Sequence, residues 1–444
     1  MFLLGSEDVL INFDVENFLS FKDNTNFSME TGNRIRKLND EAVLNVKDKK
    51  ILKSSIIFGA NGAGKTNLIF ALMRLKNLIF IANVPGNFQR KVLPYSPFAM
   101  GSDDKENTTF EIEIFKNDYY YKYYLSYNSE RIVRESLDYK KKYANEYTNY
   151  FLRESPNNNS DNFEFKITTF KRKDKDNSLK SIALKTRKNR TFLGVASEFN
   201  DDICSEVISW FREDLIFVDD KDAKDYFRYL EDSSFKKTFL SLLKYADFNI
   251  KDVDVVHEIV KYPIFDAEGK QIDVENYEKR ELYLIYKKYD NEGNVIGSSR
   301  INFLNDSSGT GKMIQIALIL LATQNQSKVL VMDEFDRSFH SFLAETILRI
   351  FNSKVNKNQL IATTHELYLL DSPLRIDQIW FIEKDFTGES NLFSIFDFNL
   401  DSKSKRGDIS FFKRYIKGQF GGTPIVDYES MISILEEKEE QINE

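Results

Sequence analysis

The chain has 444 residues, 62 Lys plus Arg against 69 Asp plus Glu, and a net charge of −7; with 42% hydrophobic residues it can bury a large core, which excludes disorder throughout. The length allows two or three domains of about 150 residues, or one large domain with insertions, and the acidic balance does not mark a nucleic-acid binder. One cysteine, Cys204, and three histidines leave no internal disulfide and no zinc cluster, the pattern of a reducing cytosol. The apolar stretch Ile314–Ala322 is far shorter than the ~18 residues of a membrane span, and MFLLGSEDVL lacks a basic start, so neither a span nor a signal peptide is expected.

In chain order, Val9–Phe21 alternates as a strand or hairpin, and the polar stretch 23–50 reads as loop. Lys53–Phe58 is a short apolar strand running into a glycine-rich turn, and Asn67–Ile81 carries apolar residues at helical spacing. Thr108–Phe115, Tyr119–Tyr127 and Arg131–Tyr139 alternate as strands, split by the turn-prone pairs Asn117-Asp118 and Asn128-Ser129. Tyr147–Arg153 and Phe163–Phe170 extend that block across the Asn-rich loop Pro156–Asn162. Lys171–Arg190 is basic, Ala196–Phe211 and Ala223–Tyr245 turn helical, and a strand pair at about Asp252–Val260 and Glu281–Tyr289 precedes the final third. No repeat, heptad run or Pro/Gly/Ser linker is present. The 38 Phe and 22 Tyr cluster in the strand-like segments without basic interleaving, so they read as sheet core rather than a base-stacking platform.

Gly59-Ala60-Asn61-Gly62-Ala63-Gly64-Lys65-Thr66 satisfies G-x-x-x-x-G-K-[ST], with a strand before it and a helix from Asn67 after it. Glycines let backbone N–H groups turn inward around phosphates, and the helix N-terminus favours an anion. Lys65 is then expected to reach the β- and γ-phosphates of ATP and Thr66 to ligate Mg²⁺. The bland alternative is an ordinary strand-to-helix turn.

Lys328–Met332 is an apolar strand of the fully buried type that ends in Asp333-Glu334. Asp333 is expected to hold the magnesium shell and Glu334 to polarise a water at the γ-phosphate. Ser308-Gly309-Thr310-Gly311-Lys312 opens a helix (Met313–Ala322) as a second anion site, and the buried strand Gln359–Thr364 ends in His365-Glu366, placing a histidine beside a γ-phosphate. Lys65 and Asp333 lie 268 residues apart. One nucleotide occupies one phosphate loop, so Ser308 is expected to reach the γ-phosphate held by a partner subunit.

The set GANGAGKT, SSGTGK, VLVMDEFDRSFH and IATTHE resembles the ABC-type ATPase head of Rad50 and SMC proteins, and within it the RloA-like, AbiL-like and PARIS ATPases of bacterial abortive-infection and anti-phage systems. FDVENFLSF (13–21), PFAMGSDDKENTTFEIEIF, LRIDQIWFIEK (374–384) and RYIKGQFGGTP (414–424) are similar to that group too. The resemblance implies an α/β P-loop NTPase fold of ABC-ATPase type with an antiparallel β subdomain and a helical insertion. It implies one split head over 1–444: an N-terminal lobe with the P-loop (1–90), a β-rich subdomain (91–195), a helical and β insertion (196–300) and a C-terminal lobe (301–444). By the family pattern, Gly59, Asn61, Gly62, Ala63, Gly64, Lys65, Thr66 and Asn67 contact ATP. Thr66 and Asp333 hold Mg²⁺, and Glu334 is the base, with Lys65 and His365, the switch histidine, beside it. Ser308 and Gly309 match the signature loop and Asp336 the loop that communicates across a head-to-tail homodimer. The signature departs from the fuller LSGGQ, and the one nearby Q-loop candidate, Gln89, sits in poor context.

The resemblance implies an ATP-driven switch in phage defence that senses infection, with a phage protein as trigger, and controls a separately encoded toxic effector, a Toprim-type or other nuclease. The 79 residues after His365 are too few for a Toprim domain in the same chain. Two further readings stand beside it. One is a Rad50-like or SMC-like DNA clamp using Lys140–Lys142 and Lys171–Arg190 as phosphate contacts, the bland reading of that basic run being a solvated loop. The other is an ATP-binding scaffold that never hydrolyses. Cys204 reads as a small core residue, His257 and His340 as structural or surface positions, and Gly421-Gly422 as a turn.

Overall fold

The computed structural model describes residues 8–33, 35–80, 92–101, 107–155, 163–166, 178–218, 222–265, 271–324, 326–398, 410–420 and 427–443. Gln89, Pro156–Asn162, the start of the basic run (171–177) and Gly421-Gly422 lie outside them. Among the described residues the strands form four sheets.

The central sheet has the order Leu215–Phe217, Val329–Met332, Gln359–Thr364, Ser54–Phe58, Ile379–Lys384 and Ser390–Ser394. Its first five strands run parallel and the last is antiparallel. Both faces are covered, which is why these segments are apolar at successive positions rather than alternating. Ile57, Val329, Val331 and Ile361 face one core, and Ile56, Phe58, Leu330, Met332 and Leu360 face the other.

The helix Lys65–Phe80 packs on the first face through Leu68, Leu72, Leu75 and Ile79. Beyond it lies a seven-stranded antiparallel sheet built from Val9–Glu16, Thr25–Ser28, Thr108–Lys116, Tyr119–Tyr127, Ile132–Lys141, Thr148–Glu154 and Glu164–Lys166. Its aromatic residues are core: Tyr120, Tyr121, Tyr123 and Tyr127 are buried. Asn117 and Asp118 both adopt positive φ (46° and 72°), the conformation a two-residue hairpin needs and Asn and Asp tolerate. The second face carries the helices Ser308–Ala322 and Ser341–Phe351.

Three parts differ from the sequence expectation. The stretch 23–50 contains Thr25–Ser28, Val43–Val46 and the start of Lys49–Leu52, strands of four residues that are too short to display a period. Ala196–Phe211 divides into helices Phe192–Glu198 and Asp202–Ser209 followed by a π turn at Trp210–Asp214, because Thr191 and Asp201 each cap a new helix start. The late strand pair is a long three-stranded ribbon, Asp252–Phe265, Gln271–Tyr289 and Val295–Asn302. Exposed residues dominate its third strand, so that strand shows no inward–outward alternation to read.

Buried polar ties join the two large sheets. The Gln359 side chain receives Leu10 N–H at 2.7 Å and donates to Leu10 O at 3.0 Å and Leu52 O at 3.2 Å. It acts as an extra peptide group where the ladder of Val9–Glu16 slips register between Leu10 and Asn12. Asp214 pairs with Lys116 of the antiparallel sheet and with Lys328 (2.6 Å) beside the acidic strand. Gln359→Leu strands three buried backbone groups, so it is expected to lower the unfolding free energy by about 3 kcal/mol; urea denaturation showing no loss would remove this tie from the account.

Candidate nucleotide site

The carboxyl ends of three adjacent parallel strands meet at one edge of the central sheet, where open α/β sheets hold their ligands. Phe58, Met332 and Thr364 are the terminal residues, so Gly59, Asp333 and His365 begin the three loops. Gly59 must be glycine because a Cβ there would lie 2.3 Å from Ile382 O. Gly62 and Gly64 take φ of +77° and +112°, which turns the loop back toward the helix that starts at Lys65. No acidic residue sits in the first turn of that helix, so its N-terminal field is left for an anion.

Lys65 is 4% exposed, and its Nζ donates to Gly59 O (2.7 Å) and Ala60 O (2.9 Å) of its own loop. Burial pushes its ammonium down to about 8, against the opposing pull of Asp333, Glu334 and Asp336. Nζ also lies 3.3 Å from His365 Nδ1, and His365 Nε2 lies 3.3 Å from Glu334 Oε1. Lysine, histidine and glutamate thus form one continuous line. Thr66 Oγ1 donates to Asp333 Oδ2 at 2.8 Å, and Thr363 donates to the other oxygen of the same carboxylate. A hydroxyl and a carboxylate side by side are the hard oxygen donors that Mg²⁺ takes, so these two residues fit that ion.

Glu334 has φ of +45°, unusual for a residue with a side chain. Its N–H bonds Thr363 Oγ1 at 2.8 Å and its carbonyl accepts from Lys312, which fixes the turn. Its carboxylate also meets Arg337 at 3.3 Å. Oδ1 of Asp336 is buried without a hydrogen-bond partner.

Ser308 and Gly309 stand apart from the phosphate loop. Ser307, rather than Ser308, caps the helix by accepting from Thr310 N at 3.1 Å. Ser308 Oγ lies 2.8 Å from Ser338 Oγ, and a Cβ on Gly309 would meet Ser338 O at 2.7 Å. A cavity of about 720 Å³ opens between this helix start and the acidic loop, lined by Ser308, Lys312, Asp333, Glu334 and Arg337 among others. Asn61 and Gly62 lie exposed on the crest of the loop and Ala63 is buried beneath it. Asn67 turns away from the crest and donates to Ser20 Oγ at 2.7 Å.

Two residues that sequence reasoning passed over hold the loop from behind. Ser390 Oγ donates to Ala63 O at 2.6 Å and lies 2.7 Å from Ser20 Oγ, while Ser390 N–H bonds Ser20 O at 2.7 Å. A Cβ on Gly64 would lie 2.3 Å from Ser390 Oγ, so the glycine and the serine require each other. Ser20 belongs to the FDVENFLSF stretch, the one hint the sequence offered; Ser390 carried none.

Other sequence candidates sit elsewhere. Cys204 is fully buried and its thiol is pushed well up by burial. His257 lies between Glu231 (3.2 Å) and Glu278 (2.6 Å) at the surface, and His340 caps the helix Ser341–Phe351. The described part of the basic run is a helix, Ser178–Lys185, and a turn rather than a loose loop, because buried Arg153 donates to Arg187 O (2.9 Å) and Arg190 O (2.7 Å).

Strand order, loop and acidic turn define a P-loop fold of ABC-ATPase-like type, mixed α/β with an antiparallel sheet and helices. Residues 54–371 match the family described as "AAA domain, putative AbiEii toxin, Type IV TA system", and the chain belongs to that family. The SMC head domain from Thermotoga maritima is similar at 14% identity, over 87% of this chain and 98% of that one, with a TM-score of 0.38. An Smc head domain with an extended coiled coil, bound to the C-terminal domain of ScpA and derived from Pyrococcus furiosus, is 12% identical over 87% and 96%, with a TM-score of 0.41. No curated protein sequence matches the chain.

Two outcomes follow from this geometry. Because burial lowers the Lys65 pKa, the unfolded chain binds the extra proton between about pH 8 and 10.5, so the penalty of burying a charged lysine is present below pH 8 and relieved above it. The stability difference between wild type and Lys65→Met should therefore move in favour of wild type as pH rises from about 8 to 10.5; a pH-independent difference in denaturant melts would contradict the buried charge. Ser390→Ala should weaken nucleotide binding about tenfold by loosening Ala63, and unchanged affinity in calorimetry would make the serine a packing residue only.

Proposed function

We propose that the chain is an ATP-binding and ATP-hydrolysing switch, one split head spanning residues 1–444. The observation that carries this reading is the line Lys65–His365–Glu334 lying beside the Thr66–Asp333 pair. Bound Mg²⁺·ATP would supply the scissile phosphoanhydride and a divalent charge, held by Thr66 and Asp333 against the loop amides of Gly59, Asn61, Gly62, Ala63 and Gly64, with Asn67 following in the first helical turn. Lys65 exchanges its loop carbonyls for phosphate oxygens. That exchange alters the contact with His365 Nδ1, and His365 Nε2 carries the change to the Glu334 carboxylate. Glu334 then orients and deprotonates the attacking water.

In a head-to-tail pair, Ser308 and Gly309 of one copy face the γ-phosphate held by Lys65 of the other, with Asp336 at the joint. The unpartnered Asp336 Oδ1 and the open cavity in front of Ser308 support a site completed by a second copy. ATP makes more contacts than ADP in that closed form, which gives the differential affinity a switch requires.

The family description, with its toxin–antitoxin association, supports a role in abortive infection: an ATPase that answers a phage trigger and restrains or releases a separately encoded effector, a nuclease. The alternative, a Rad50-like or SMC-like DNA clamp, would draw its phosphate contacts from Lys140–Lys142 and the basic run. Lys140 lies over the rings of Tyr120 and Tyr147, and Lys142 pairs with Asp118 at 2.7 Å. The described end of the basic run does expose Lys185, Arg187 and Lys188.

Glu334→Gln should keep ATP affinity, lose hydrolysis by about 100-fold or more, and accumulate closed dimers with ATP. Phosphate release at the wild-type rate would strip Glu334 of its role.

A further inference from the structure

The helix Tyr428–Asn443 leaves its apolar side chains in water. Tyr428, Met431 and Leu435 stand at i, i+3 and i+7 and are 71%, 59% and 63% exposed; Ile434 beside them is 64% exposed. Among the described residues every hydrogen bond that is made by this helix is local, Asp427 holding its first turn through Ser430. A lone helix of 16 residues is marginal in water, so such a stripe calls for a partner surface. The rest of its sequence is acidic, with Glu429, Glu436, Glu437, Glu439 and Glu440 against Lys438.

The complementary surface is present on the same chain. A groove of about 400 Å³ runs between the helix Ser233–Tyr245 and the segment 250–252. Leu240 and Ile250 supply its apolar floor, and Lys237, Lys244 and Lys251 are exposed along its rim. The acid in its lining, Asp252, is already held by Lys236 at 2.8 Å. Among the described residues, none of the helix Tyr428–Asn443 lines the groove of its own chain.

We propose that this groove receives the C-terminal helix of a second copy of the chain, with Tyr428, Met431 and Leu435 laid on Leu240 and Ile250 and the acidic charge of the helix sequence matched by the lysines of the rim. Apolar anchors at helical spacing supply the affinity, and the charges set the orientation and weaken with salt. One helix in one groove is a small interface, so the association is weak and reversible. The contact lies away from the phosphate loop and does not require ATP.

The test uses the full chain without nucleotide. Ser241→Cys and Ile434→Cys are prepared separately, both at exposed positions, while native Cys204 is buried and does not compete. Treated with a short bismaleimide, the equimolar mixture should give a covalent dimer that neither variant forms alone. The dimer should disappear when Lys237→Glu and Lys244→Glu are added to the groove partner, and return when Glu436→Lys and Glu440→Lys are added to the helix partner. A mixture that stays monomeric overturns the proposal, whether or not the double variant Ser241→Cys/Ile434→Cys links within one chain; a within-chain link would identify self-docking instead. Because no nucleotide is present, either result leaves the ATPase reading to its own test.

Discussion

The site depends on one constraint, the strand Gln359–Thr364 lying between the strand that feeds the phosphate loop and the strand that delivers the acids. Two strand spacings separate those outer strands, about 10 Å. Asp333 crosses that gap only because Thr363 holds one of its oxygens, leaving the other for Thr66. The same hydroxyl receives the N–H of Glu334 and fixes a backbone turn that an unsupported glutamate would avoid. The middle strand then ends in His365, already between Lys65 and Glu334. A single side chain, Thr363, therefore sets the place of Asp333 beside Thr66 and the backbone turn at Glu334.

The antiparallel sheet lies far from the acids yet is tied to the strands that carry them. Gln359 begins the middle strand and is bonded to Leu10; Lys328 precedes the acidic strand and is paired with Asp214, which also holds Lys116. Ser20 follows the first strand of the antiparallel sheet and meets Ser390 behind the phosphate loop. A third buried knot, Arg375 with Asp377, also fixes Gly32 N and Lys37 O, and Gln378 bonds Ser54 at the start of the loop strand. Removing one member of a buried charged set costs far more than the set contributes over apolar packing, so these ties act mainly to fix register. They make the N-terminal segment part of the site's foundation.

The parts of this architecture that were legible in the sequence are those whose cause is local. GANGAGKT declares its turn through its glycines, and VLVM followed by Asp333-Glu334 declares a buried strand that ends in carboxylates. The tyrosine-rich strands alternate cleanly and fold as read. Ser390 and Gln359 were silent because their meaning lies in contacts 327 and 349 residues away in the chain. A buried glutamine at a strand start looks like any polar boundary until Leu10 is placed beside it. The ribbon was half seen for a different reason: its third strand, Val295–Asn302, is solvated along most of its length, so no periodic apolar face betrayed it.

That ribbon runs directly into the start of the helix Ser308–Ala322. Its last strand ends at Asn302 and passes through one short turn, Phe303–Asn305, into Asp306 and the serines of the second helix start. Tyr286 on the middle strand donates to Asp306 Oδ2 at 2.7 Å, and Asp306 Oδ1 accepts from Ser307 N at 2.7 Å. Ser308 is in turn bonded to Ser338 at the end of the acidic loop. The arm, the serine turn and the acidic loop thus form one hydrogen-bonded run from Tyr286 to Ser338. The ribbon's base and the end of the acidic loop therefore meet at one short segment, Asp306–Ser308.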